Sequence, residues 1–148
     1  MFTAQGTTSI VTTTVRVVGA VETRIDIKDA GTTLAEVRLM LGRVLLHVHG
    51  AVAVKHVAAI WQDAGFHRDR LAPAVADPQR GALIDGCQVG TVARIGCDAP
   101  ARCDLIPRTA KLPRHIRIQI GPLVWQVMDR AAYDSTRAAW DHAETLVP

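Results

Sequence analysis

The sequence predicts an α+β fold: an antiparallel sheet with two helices packed on it. Three observations lead there. Several short runs alternate apolar and polar residues, the period-two pattern of half-buried strands. Two longer stretches place apolar residues at helical spacing. The chain also matches itself without a gap when shifted by 79 positions, so that Ala35–Gly65 lies over Arg114–Glu144. The shift pairs Arg38 with Arg117, Gly42 with Gly121, Val48 with Val127, Trp61 with Trp140 and Ala64 with Ala143. Apolar positions coincide as well, among them Val37 with Ile116 and Leu39 with Ile118.

In chain order, Ile10–Val18 and Val21–Ile27 read as a hairpin around Gly19-Ala20, its first strand rich in β-branched threonines. Val37, Leu39 and Leu41 then alternate with polar or longer residues, Gly42-Arg43 turns the chain, and Val44–Val48 returns. Val54, Val57, Trp61 and Ala64 share one face of a following helix. Residues 67–81, with Pro73, Asp77 and Pro78, read as a linker between repeats spanning 1–66 and 82–148 of a single domain. Asp85-Gly86 favours a tight turn, and Gln88–Cys97 and Arg102–Ile106 look extended. Ile116, Ile118 and Ile120, the Gly121-Pro122 turn, Leu123–Val127 and a helix capped by Asp129 repeat the earlier order. Trp61 and Trp140 are expected to peg the helices to the sheet, with Val48, Val57 and Val127 in the core.

Composition bounds the function. At 148 residues and 16.0 kDa, with 49% apolar and 21% charged residues and a mean hydropathy of +0.15, the chain is neither disordered, collagen-like nor a disulfide scaffold. No uncharged apolar run reaches the ~18 residues that would suggest a membrane span, so no membrane partner is expected. No basic leader precedes an apolar run, so the reading is cytoplasmic. Arg outnumbers Lys fourteen to three, and Asn is absent, which fits a GC-rich bacterial coding bias. Cys87, Cys97 and Cys103 are an odd number and are read as reduced thiols, although Cys97 and Cys103 flank a turn and could face each other across it.

Sites for chemistry are sparse. His47 and His49 leave one face of a strand, a geometry suited to a metal pair, with His67, His115, Cys97 or Cys103 as third ligand. The matching positions in the second copy are Gln126 and Met128, which argues for two surface histidines instead. Ser9 and Ser135 are the only serines, and neither lies in GxSxG; no HExxH, CxxC, GxGxxG or GxxxxGK[ST] is present. The chain is therefore expected to be non-catalytic and to need no cofactor. Its net charge is +3 and its pI near 9.1, and the basic residues cluster: Arg102, Arg108, Lys111, Arg114 and Arg117 against Asp104 alone. The interleaved residues are Ile and Leu rather than aromatics that stack on bases.

The first expectation is an interaction or assembly domain, a homo-oligomer that buries the apolar excess of Ile116–Ile120 and Leu123–Val127. The alternatives are a nucleic-acid-binding accessory protein using Arg102–Arg117, and a small-molecule or metal site with His47 and His49.

Overall fold

The computed structural model describes residues 5–75, 89–97 and 99–148. Two helices and eight strands form an α+β fold. The strands are β1 (Thr13–Val17), β2 (Thr23–Lys28), β3 (Glu36–Leu41), β4 (Val44–His49), β5 (Thr91–Ile95), β6 (Ala101–Ile106), β7 (His115–Ile120) and β8 (Leu123–Val127). The helices are α1 (Ala51–Ala64) and α2 (Arg130–Thr145), and a 3₁₀ helix (Gly65–Arg70) follows α1.

The strands make two four-stranded sheets rather than one. The first runs β1-β8-β7-β6 and the second β2-β3-β4-β5. Each is antiparallel except at one edge, where β1 lies parallel to β8 and β5 lies parallel to β4. The N-terminal hairpin expected at 10–27 is not formed: β1 and β2 belong to different sheets. Two contacts hold the intervening turn to the start of α2. Gly19 N–H donates to Asp129, and Val21 N–H donates to the Ser135 hydroxyl. A local turn signal at Gly19-Ala20 thus marks a change of sheet. The expected Asp85-Gly86 turn lies outside the described residues.

The two stretches related by the 79-residue shift each fold as strand, two-residue turn, strand and helix. Gly42 and Gly121 open those turns at φ 59° and 56°, a region costly for side chains with a Cβ and suited to a II′ hairpin. The helix starts differ. Asp129 accepts from the Ala132 N–H, whereas Gly50 supplies no side-chain cap to α1. The stretch read as a linker is structured as far as it is described: Leu71 is buried, and Ala72 bridges to Asp129.

The helices pack against each other and reach across to both sheets. α1 touches β4 as well as β6 and β7, and α2 touches β2 and β3. One continuous apolar core results, containing Val48, Val57, Trp61, Val127 and Trp140, all fully buried. Trp61 meets Trp125 edge to face at 5.8 Å and stacks on Tyr133 at 6.3 Å. The Tyr133 hydroxyl donates to the Trp61 carbonyl at 2.6 Å, tying α2 to α1. Among the described residues no helix is long and apolar enough to cross a membrane.

Candidate nucleic-acid interface

Strand alternation sends one set of side chains from each sheet into the core and the other outward. On the first sheet the register aligns Arg16, Gln126, Arg117 and Asp104 in one outward row across all four strands. The neighbouring row is Thr14, Val124, Gln119 and Arg102. Arg102 and Arg117, 15 positions apart in the chain, therefore share an exposed face. Arg16 joins them, a residue the sequence analysis did not single out. Only the parallel pairing of β1 with β8 brings it there, and nothing local in the sequence announces that pairing.

Each guanidinium is held by a light contact. Arg16 Nε donates to Gln126 Oε1 at 3.3 Å, and Arg117 Nη2 donates to Gln119 Oε1 at 3.3 Å. Arg102 lies 3.6 Å from the Asp104 carboxylate, with both side chains more than half exposed, so this pair is weak and screened by salt. Neutral amides position two of the three arginines without cancelling their charge.

The β6–β7 loop adds Arg108 and Lys111, both exposed, at one end of this face. The loop is shaped by Thr109, whose hydroxyl accepts from the Lys111 and Leu112 N–H groups and whose N–H donates to the Leu112 carbonyl. Between loop and sheet lies a groove of about 340 Å³ lined by Thr12, Thr14, Thr109, His115, Arg117 and Gln126, with Val124 among its apolar residues. His115 is buried, and its Nδ1 is 3.0 Å from the Pro113 carbonyl, which can only accept; that nitrogen therefore carries the proton. Arg114, the remaining member of the basic run, is drawn aside toward the Arg70 carbonyl at 3.5 Å.

The second sheet has its own outward row, Asp26, Arg38, His47 and Arg94. His47 has a partner on the neighbouring strand. Its Nδ1 donates to Glu36 Oε1 at 2.7 Å. That bond, with the nearby histidine and arginine charges, holds the Glu36 carboxyl below its ordinary range. His49 is exposed at the strand end, and no cluster of three or more metal-ligating side chains occurs among the described residues. Among the candidate third ligands, Cys97 and Cys103 are free thiols, and burial raises the Cys103 pKa.

The apolar strands that suggested association are consumed inside the chain. Ile116, Ile118, Ile120, Leu123, Trp125 and Val127 are all buried. No known protein family, curated protein or solved structure matches the chain.

Proposed function

We propose that this chain is a nucleic-acid-binding domain that takes backbone phosphates on the outer face of its first sheet. The observation that carries the reading is the sheet register, which gathers Arg16, Arg102 and Arg117 on one exposed surface beside Arg108 and Lys111. Asp104 is the single acid among the described residues of that face, so the surface is more positive than the chain as a whole. Guanidinium groups pair well with phosphate oxygens, and flanking hydroxyls of the groove add neutral donors. Among the described residues the face carries no Phe, Tyr or Trp side chain, so binding rests on the phosphates and tolerates changes of base sequence.

The test is fluorescence anisotropy with short duplex and single-stranded DNA and RNA. With about three phosphates neutralised on duplex DNA, affinity should fall about 40-fold between 50 and 200 mM salt. The triple variant Arg16→Gln, Arg102→Gln, Arg117→Gln should lose most binding and flatten the salt slope by about three. Arg24→Gln with Lys28→Gln, on the other sheet, should change little. No binding to any of the four probes at low salt, or equal loss in both variants, would end this reading.

One observation favours self-association as a second reading. Met40, Leu45 and Val92 form an outward apolar row on the second sheet, with Val92 65% exposed on the edge strand β5. Sedimentation velocity should then show a dimer that Val92→Lys converts to monomer; a wild-type monomer at every concentration reached would remove the reading.

A further inference from the structure

The outer row of the second sheet has the same make-up as that of the first. Read from β2 to β5, it is Asp26, Arg38, His47 and Arg94. Read from β6 through β7 and β8 to β1, the first sheet gives Asp104, Arg117, Gln126 and Arg16. Three of the four positions match in residue type, and the third holds an imidazole where the first sheet holds an amide. A carboxylate accompanies that exchange. Glu36 stands directly across from His49, and its bond to the His47 Nδ1 at 2.7 Å runs diagonally between the strands. An ionised carboxylate can only accept, so Nδ1 carries the proton and neutral His47 offers Nε2 as a proton acceptor. Nε2 bonds to no described residue and keeps accessible surface. Arg38 and Arg94 flank His47 on the adjacent strands; Arg94 is exposed, and Arg38 lies 3.7 Å from Asp26 with both side chains well exposed. His49 leaves the same face two residues along, about 7 Å from His47.

We infer that this face is an acid–base site that cleaves RNA phosphodiesters by transesterification. RNA as the substrate rests on the nucleic-acid reading; the acid–base geometry stands apart from it. The two guanidiniums take the phosphate and stabilise the charge that builds on its oxygens. His47 Nε2 removes the 2′-hydroxyl proton, the 2′-oxygen bonds to phosphorus, and the bond from phosphorus to the 5′-oxygen breaks. Protonated His49 gives its proton to the leaving 5′-oxygen. The products are a 2′,3′-cyclic phosphate and a 5′-hydroxyl, and proton exchange with water resets both rings. Glu36 is a positioning residue: it fixes the tautomer and orientation of His47 and stabilises the imidazolium that forms.

The probe is the dinucleoside phosphate UpA, incubated with the full chain and resolved by chromatography. The expected products are uridine 2′,3′-cyclic phosphate and adenosine, with the 2′-deoxyuridine analogue left intact. His47→Ala should lower kcat by about 100-fold or more, and added imidazole should restore part of the loss. Glu36→Gln should lower kcat tenfold or more and move KM less than twofold. Arg38→Gln with Arg94→Gln should raise KM fivefold or more. Each variant should keep the near-ultraviolet circular dichroism spectrum of the wild type. No cyclic phosphate from the wild type, turnover of the deoxy analogue, or equal rates in the wild type and His47→Ala would overturn the inference. UpA has a single phosphate and needs no hold from the first sheet. A chain that binds the anisotropy probes but leaves UpA intact therefore removes this inference and spares the nucleic-acid reading.

Discussion

Asp129→Ala is expected to lower the unfolding free energy by about 3–5 kcal/mol, a large fraction of the ~5–15 kcal/mol that domains have. The carboxylate is fully buried and accepts from three backbone N–H groups. Ala132 donates to Oδ1 at 2.8 Å, Val75 to Oδ2 at 3.1 Å, and Gly19 to both oxygens at 3.1 and 3.0 Å. Removing the side chain orphans all three donors, at about 1–3 kcal/mol each before relaxation or water entry. The loss exceeds that of an ordinary helix cap, about 1 kcal/mol, because one acid joins three distant segments. Asp129→Asn should cost less than Ala, since one oxygen survives, but the new amide NH₂ must face backbone donors. Urea unfolding followed by tryptophan fluorescence measures both. A loss below ~1 kcal/mol for Ala would show that these contacts do not fasten the segments.

Trp61→Ala is expected to cost about 3–5 kcal/mol through the cavity it leaves. The indole is fully buried against Trp125 and Tyr133, at the junction of α1, α2 and the first sheet. Trp61→Phe should cost much less, because it keeps an aromatic ring and removes an indole N–H that has no partner. The Tyr133 hydroxyl bonds the Trp61 backbone carbonyl, so it survives in both variants. Tyr133→Phe deletes that bond, together with a long 3.5 Å contact from Arg137 Nη1, and should cost about 1 kcal/mol. Comparing the three by urea unfolding separates ring packing from the hydrogen bond. A Trp61→Ala loss no larger than that of Tyr133→Phe would mean that the ring contacts add nothing.

The elements with strong local periodicity were legible in the sequence. β3, β4, α1, β7, β8 and α2 follow from Val37–Leu41, Ile116–Ile120, the two glycine turns and the helical faces of Trp61 and Trp140. Partner choice was not. A hairpin signal at Gly19-Ala20 is local, whereas the placement of β1 beside β8 depends on residues more than a hundred positions away, including Asp129 and Ser135. The single expected sheet therefore became two. The same cause divides the basic site. Arg102 and Arg117 lie on adjacent antiparallel strands that the alternation pattern already suggested, and their common face was within reach of the sequence. Arg16 entered through a parallel pairing that composition and spacing do not encode. Arg114 left because its side chain reaches the Arg70 carbonyl across the fold. The histidine pair was read from strand alternation alone, which says that two side chains leave one face but not what stands opposite; Glu36 stands opposite.

The exchange of edge strands has a consequence for how this chain can be divided. Residues 5–75 send β1 to a sheet otherwise built by residues 101–127, while β5 completes the sheet begun by residues 23–49. A polypeptide ending after α1 would lack the edge strand of its own ladder and would hold another with nowhere to dock. Two such fragments are interlocking pieces, each shaped to finish the other, and severed ends in the 67–90 interval would have to find one another again before either could fold.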